Sequence, residues 1–435
     1  MKVLLVGNGG RENAIAHKIS ESPSFKRSGG KLFTAKGNPG IRKYSELTCI
    51  SPDDIISLAE FALKEKIDLT VTGPEVPLSL GITDEFEKRG LRIFGPSKLA
   101  AEIETSKVFA KKLMKEYNIP TAEYRAFKKE ETDEALKYLN DFTFPAVFKA
   151  DGLAAGKGVI IAGNIQESME VLNLFSDEKN LKEAGENFII EEYLDGEEVS
   201  VFAVCDGKDF VMLPFSQDHK RISDGEKGRN TGGMGAVAPV RKFMTEDINN
   251  KIKERIIIPV LKAMRESGRE FRGCLYCGLM IVKGDPFVIE FNCRFGDPET
   301  QAVLQLIDSD FLGMLQSAAE KNLKNYKLET NDKFSCCVVL ASGGYPGEYE
   351  TGKKITGIDD ITGNCFVYHS GTRYGNKENE VLTDGGRVLS VTGISDKSMN
   401  DAVKIAYENA GKINFENKYF RKDIGFRQLK NNYGN

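Results

Sequence analysis

Along the first hundred residues, short apolar runs alternate with amphipathic stretches, the pattern of strands interleaved with helices. Residues 3–6 read as a buried strand ending at Gly7-Asn8-Gly9-Gly10, and Ala14, Ile15 and Ile19 follow at helical spacing. Residues 32–35 repeat the unit and end at Gly37-Asn38-Pro39-Gly40. A helix over 53–65, capped by Ser51 or Asp53 with Pro52 near its start, leads to a strand over 69–72 and to Gly73-Pro74-Glu75. A fourth strand over 92–94 stops at Gly95-Pro96. This predicts a parallel sheet covered by helices. Its strands all end in glycine loops on one edge, where open α/β sheets bind ligands.

The rhythm then changes. Residues 97–117 read as helical, and 146–162 and 188–204 as antiparallel strands joined by glycine loops. Gly225, Gly228, Gly232, Gly233 and Gly235 crowd 223–236, which predicts a mobile loop suited to act as a lid. A long helix over 246–266 precedes strands over 275–282 and 286–291. Beyond about residue 330, strands over 336–341, 366–369 and 388–392 predict a mostly antiparallel C-terminal domain.

Length and composition narrow the class. A chain of 435 residues exceeds one ordinary core and implies about three domains. With 40% hydrophobic and 29% charged residues it belongs among folded globular proteins. A net charge of -4 argues against nucleic acid as a partner, because phosphate-backbone binding needs a basic face. No apolar run reaches the roughly 18 residues of a membrane helix, so no membrane partner is expected. The N-terminal apolar stretch is too short for a signal peptide. The eight cysteines are scattered, with Cys336 and Cys337 adjacent, and the expected location is the reducing cytoplasm. Cys274 and Cys277 lie in an apolar run without a second ligand pair and read as buried thiols. His17, His219 and His369 are too dispersed to suggest a histidine metal site.

Three segments carry candidate chemistry. In Val288-Ile289-Glu290-Phe291-Asn292-Cys293-Arg294, Glu290 and Asn292 fall two apart on a strand and share a face. A carboxylate beside an amide oxygen suits a hard cation that completes its shell with phosphates. Arg294 can neutralise an anionic substrate or the charge of phosphoryl transfer. In the second segment, 147–161, two β-rich runs flank Gly152, Ala154, Ala155, Gly156 and Gly158, with Lys149 and Lys157 framing them. Small residues let backbone N–H groups reach phosphate oxygens. It is not a Walker A loop: Gly152 to Lys157 is one residue short, Gly158 replaces the Ser/Thr, and a strand follows. In the third, a strand breaking at Glu191-Glu192-Tyr193-Leu194 offers backbone groups to an adenine edge, and Glu198 could accept from ribose hydroxyls. At the N-terminus the third position of G-x-G-x-x-G is Glu12, which disfavours a dinucleotide. A sugar phosphate at the helix N-terminus beside Arg11 fits better.

The order of glycine–lysine hairpin, Glu-Glu strand end and distant Glu-x-Asn strand resembles the ATP-grasp superfamily. The blocks Gly7–Glu12, Lys149–Val159, Gln217-Asp218-His219-Lys220-Arg221, Asn230-Thr231-Gly232-Gly233-Met234-Gly235-Ala236 and Arg294-Phe295-Gly296-Asp297-Pro298-Glu299-Thr300-Gln301 resemble, in order, the phosphoribosylamine–glycine ligase (glycinamide ribonucleotide synthetase) family. The resemblance implies ATP-dependent ligation of glycine to 5-phosphoribosylamine through glycyl phosphate, in purine biosynthesis. It implies an N-terminal α/β domain over 1–104 that binds phosphoribosylamine and an ATP-grasp domain over 105–329. The small ATP lobe would span about 122–195, and a C-terminal mixed α/β domain 330–435. ATP contacts are implied at Lys107, Lys149, Gly152, Gly156, Lys157, Gly158, Glu191, Glu192, Tyr193, Leu194 and Glu198. Mg²⁺ or Mn²⁺ is implied at Glu290 and Asn292. Phosphoribosylamine is implied near Asn8, Gly10, Arg11, Glu12, Gly37, Asn38 and Glu75, and glycine near Asp218 and Arg294. Arg294 and Lys157 would be catalytic, and the expected state is a monomer. Asn13 stands where relatives commonly have histidine, and Cys277-Gly278-Leu279-Met280 lacks the extra acidic metal ligand of many ATP-grasp enzymes. Two alternatives stay open: another ATP-grasp ligase, such as a carboxylase or formate-using enzyme, and a non-catalytic nucleotide-binding regulator.

Overall fold

The computed structural model describes residues 1–152, 158–176, 186–377 and 379–430. The N-terminal sheet is parallel, with strands in the order Glu46–Thr48, Lys31–Ala35, Lys2–Val6, Leu69–Thr72, Ile93–Phe94. The edge strand Glu46–Thr48 escapes pattern reading because it is three residues long and only partly buried. The helix after it runs Ile55–Glu65 and is capped by Asp54, whose carboxylate accepts from Ser57 N at 3.1 Å, not by Ser51 or Asp53. Strand order reverses at Lys2–Val6. The crevice of this sheet therefore opens between the Gly7–Gly10 and Gly73–Glu75 loops.

Two antiparallel sheets follow. The smaller has the order Tyr124–Lys128, Asn187–Glu192, Ala146–Ala150, Val159–Ala162. The larger has the order Phe210–Met212, Glu197–Asp206, Arg272–Val282, Asp285–Asn292. Residues 193–196 form the link between Asn187–Glu192 in one sheet and Glu197–Asp206 in the other. The small sheet has its own core of Phe127, Phe148, Phe175, Phe188 and Ile190. The larger sheet does not: Val199, Leu275 and Val288 share one continuous core with Leu4, Phe33 and Phe86 of the N-terminal domain. Cys274 and Cys277 are buried free thiols, and burial pushes Cys277 far up.

The segment 223–236 differs from the expected loop. Arg221–Ser223 pairs with Lys227–Asn230 as a hairpin, and Gly235–Ala238 joins the C-terminal sheet beside Phe334–Ser342. That antiparallel sheet continues through Arg387–Ser395 to Cys365–His369. The glycines serve geometry here. Gly225, Gly228 and Gly233 take φ of +69, +80 and +111°, and a Cβ on Gly235 would lie 2.6 Å from the Cys337 carbonyl oxygen. Side chains clamp the hairpin from the C-terminal domain. Fully buried Arg421 donates to Glu226 (2.7 Å), to both oxygens of Asp423 (2.8 and 2.9 Å) and to Arg221 O (3.0 Å).

All three histidines are buried, and His219 and His369 carry strongly lowered values. His219 Nε2 accepts from Gly425 N at 3.1 Å, so the remaining proton sits on Nδ1, facing Gly235 O at 3.3 Å. Burial, helped by Arg421 and Arg427, holds His219 at about 3. Burial and Lys43 hold His369 there too. A folded-state value below the unfolded 6.5 adds stability above pH 6.5 that drains as pH falls toward 3. Each imidazole contributes up to about 1.4 kcal/mol per pH unit in that window. We expect His219→Gln to flatten urea-unfolding stability between pH 6.5 and 4.5 relative to the parent; superimposable slopes would refute the assignment.

Candidate active site

At the crevice, the helix Gly10–Glu21 points its N-terminus at the glycine loop. Glu12 folds back: its carboxylate accepts from Gly9 N (2.7 Å) and pairs with Arg11 Nε (2.5 Å). It lies against Gly7 and Gly73, where a Cβ would strike it. Arg11 also donates to Phe295 O (3.0 Å) and approaches Glu75 at 4.0 Å. Gly37, at φ +66°, turns the second loop so that Asn38 Nδ2 bridges Asn8 O and His369 O, each at 2.8 Å. Asn8, Gly10, Arg11, Glu12, Gly37, Asn38 and Glu75 thus meet at one edge. Asn13 is turned to the C-terminal domain, its Oδ1 accepting from His369 N at 2.7 Å. It serves a domain contact here.

The second half is one face of the larger sheet. Its register sets Glu198 against Met280, Ser200 against Gly278, and Gly278 and Tyr276 against Glu290 and Asn292. The pleat therefore presents Glu198, Ser200, Tyr276, Glu290 and Asn292 together. The register skips Ile289, and its carbonyl accepts from Lys149 Nζ at 2.9 Å. Lys149 also pairs with buried Glu191 at 2.9 Å, and Lys111 reaches the same carboxylate at 3.2 Å. Burial lowers Lys111 to about 8. Lys107 donates to Gly152 O at 2.9 Å, while Asp151 caps its helix by accepting from Lys107 N at 2.6 Å. Gly152 has φ +94°, and Gly158 O accepts from Ala150 N at 2.8 Å. Gly156 and Lys157 lie outside the described residues. At the link, Glu191 is buried while Glu192 and Tyr193 are exposed and Leu194 is half-buried.

Lys220 ties these carboxylates together, pairing with Glu198 and with Glu290 (3.3 Å). Lys220 outweighs burial and, with Lys149 and Lys107, holds Glu290 at about 2. A few residues on, Arg294 pairs with Glu75 (3.3 Å) and Glu104 (3.0 Å). Burial opposes ionisation of Glu75, yet Arg294 and Arg11 hold it at about 2. Glu104 also accepts from Cys293 N (2.7 Å) and from the Asn292 amide nitrogen (3.1 Å). That orientation leaves Asn292 Oδ1 as the atom free to face a cation beside Glu290. Among the described residues no cluster of three or more His, Cys, Asp or Glu side chains is arranged for a metal. The donors fit a hard divalent ion held by two protein ligands and completed by phosphates.

Asp218 is buried on the short strand Gln217–Asp218, which pairs with Gly235–Ala238, and makes no ion pair with Arg294 in this structure. Three site residues go unmarked by sequence reasoning: Lys111, Glu104 and Lys220. Lys220 lies inside one of the resembling blocks, a signal that could have found it. Lys111 stands one helical turn after Lys107, and Glu104 is an ordinary helical acid until its neighbours are known.

Comparisons with known proteins cover nearly the whole chain. Family models match residues 1–104 (phosphoribosylglycinamide synthetase, N domain), 105–300 (its ATP-grasp domain) and 335–427 (its C domain). The phosphoribosylamine–glycine ligase of Caldanaerobacter subterraneus subsp. tengcongensis is 47% identical over 424 residues, spanning 98% of this chain and 99% of that one. The Escherichia coli K12 enzyme of the same name is 44% identical, spanning 99% of both. The crystal structure of phosphoribosylamine–glycine ligase from Thermotoga maritima superposes with a TM-score of 0.82 at 34% identity, covering 98% of this chain and 100% of that one. A biotin carboxylase from Campylobacter jejuni, at 15% identity and TM-score 0.73, with 96% and 92% covered, shares the fold.

Proposed function

The chain belongs to the phosphoribosylglycinamide synthetase family, and from that premise we propose how its own residues carry the family's reaction. It is an ATP-dependent ligase that joins glycine to phosphoribosylamine, forming glycinamide ribonucleotide. The observation carrying the site assignment is the convergence of Lys107 from a helix, Lys149 from the smaller sheet and Lys220 on Glu290, beside Asn292 on the larger sheet, with Arg294 linking that point to the Arg11–Glu75 crevice.

ATP lies between the two central sheets, its adenine against backbone groups of 191–194, its ribose near Glu198 and its phosphates near Gly152 and Gly158. Lys107 and Lys149 supply positive charge to the phosphates. Glu290 and Asn292 hold Mg²⁺ or Mn²⁺, which when bound neutralises charge on the phosphate oxygens. An oxygen of glycine's carboxylate attacks the γ-phosphorus as the β–γ P–O bond breaks, yielding glycyl phosphate and ADP. The neutral amine of phosphoribosylamine, held by its phosphate at the N-terminus of helix Gly10–Glu21 beside Arg11, attacks the acyl carbon. The C–O bond to phosphate breaks and the amine proton leaves to solvent. Phosphate is a good leaving group, so the residues position, neutralise charge and exclude water rather than shuttle protons. Arg294, fixed by Glu75 and Glu104, stands where both substrates meet.

The test uses freshly prepared phosphoribosylamine and glycine labelled with ¹⁸O in its carboxylate. ADP release should require both substrates, and one labelled oxygen should appear in phosphate. No glycine-dependent ADP release would overturn the ligase reading; unlabelled phosphate would overturn the acyl phosphate route.

A further inference from the structure

Lys111 is a charged side chain almost sealed from water. It stands one turn after Lys107 on helix Lys107–Glu116, and its side chain is 2% exposed. Taking an ammonium out of water is costly unless its partners are well placed. Here the partners lead, along two arms, to one strand.

The first arm runs through Thr121. Lys111 Nζ donates to Thr121 Oγ1 (2.6 Å) and to Ala122 O (3.2 Å), and Thr121 Oγ1 donates in turn to Val288 O (2.7 Å). Val288 N donates to Pro120 O at 2.8 Å, which pins the same point of the strand from the backbone side. The second arm runs through Glu191. Lys111 reaches its Oε1 at 3.2 Å, Lys149 reaches its Oε2 at 2.9 Å, and Lys149 donates to Ile289 O at 2.9 Å. The arms end on consecutive carbonyls, 288 and 289, immediately before Glu290. The ring they close joins the smaller sheet, the helix that carries Lys107 and the strand that carries Glu290 and Asn292. Charge adds a second consequence. Glu191 is one carboxylate between two ammonium groups, so the trio keeps a net charge of +1. With Lys111 neutral, Glu191 would offset Lys149 entirely and leave no surplus for the nucleotide's phosphates.

We propose that Lys111 is a positioning residue for phosphoryl transfer: through Glu191 it leaves Lys149 with surplus charge for the nucleotide, and through Thr121 it holds the strand that presents Glu290 and Asn292. The inference rests on ATP lying between the two central sheets and assigns what keeps the two halves of that site in step. Lys111 acts through these neighbours rather than on the nucleotide itself. Burial brings it down to about 8 against the attraction of Glu191, and Lys149 adds to the lowering. The groups that face it are Glu191 and Glu192 at the strand end, Lys149 beside them and the Tyr124 ring, 5.3 Å from Nζ. As pH rises through about 8 the ammonium loses its proton and the trio becomes neutral. Nucleotide affinity should weaken with it.

MgADP, titrated calorimetrically without glycine or phosphoribosylamine, is the probe. In the unmodified enzyme its affinity should fall at least about fivefold between about pH 7 and pH 9.5. Lys111→Met should bind MgADP about tenfold more weakly at about pH 7, the scale of one charge-assisted contact, and should lose most of that pH dependence. In turnover it should raise the KM for ATP and lower kcat while leaving the KM for glycine within about twofold. Lys111→Arg, whose guanidinium stays charged, should hold its affinity through about pH 9.5. Affinity in the unmodified enzyme that stays constant over this range would overturn the proposal, whether or not the variants fold. So would a folded Lys111→Met with the parent's affinity and pH profile. Absence of MgADP binding to the unmodified enzyme would refute the nucleotide site itself, and the proposal with it.

Discussion

Glu290→Ala is expected to lower kcat for ADP release by at least about 10²–10³-fold at saturating magnesium, the scale of removing one preorganised electrostatic group. Two losses coincide. The carboxylate held ionised at about 2 by Lys220, Lys149 and Lys107 disappears, and with it the stronger of the two metal ligands. Lys220 keeps Glu198, so the fold should survive and the thermal midpoint should move little. Glu290→Gln separates the roles, since an amide can still accept from Lys220 but binds a divalent ion poorly. Near-normal rates for Glu290→Ala at saturating magnesium would refute the assignment.

Arg421→Ala should be the most destabilising substitution away from the site. Its guanidinium is fully buried and makes a two-pronged pair with Asp423, a bond to Glu226 and another to Arg221 O. Removing one partner of a buried charge network costs about 3–5 kcal/mol, because the remaining carboxylates and carbonyl lose their donors. Asp423 at about 2 is held there by Arg421 against burial, so the loss would be smaller at low pH, where the carboxylate is neutral. Urea unfolding at pH 7 measures it; a shift under about 1 kcal/mol would show that water replaces the arginine. Hydrogen exchange should report the damage first in 221–230, the hairpin that Arg421 clamps.

Local pattern carries the N-terminal sheet well. Its strands are apolar runs with glycine stops, and parallel neighbours joined by helices leave few other arrangements. The period-two pleat likewise puts Glu290 and Asn292 on one face from their spacing alone. What the pattern misjudges is 223–236, where glycine density suggests motion. Those glycines answer to partners far along the chain: Phe334–Ser342, which pairs with Gly235–Ala238, and Arg421, which clamps the hairpin. No local signal reports a pairing across a hundred residues. Glu104 is invisible for the same reason. Helix Lys98–Thr105 carries two acids, Glu102 and Glu104, and only the docking of that helix against the strand end makes the second the acceptor for Cys293 N, Asn292 and Arg294. Lys111 lies on a helix whose charged positions would ordinarily face water, and Glu191 draws it inward.

The continuous core beneath the first two domains bears on how this chain could be recombined or split. Sequence families divide at residue 104, yet Leu4, Phe33 and Phe86 rest in the same apolar cluster as Val199, Leu275 and Val288. A fragment cut at that border would carry half an interior as bare surface, a liability for solubility. The small sheet, with a separate interior and a connection through 193–196, is the more natural cassette. The unit that heredity passes on as a block and the unit that can stand in water by itself are, in this enzyme, cut along different lines.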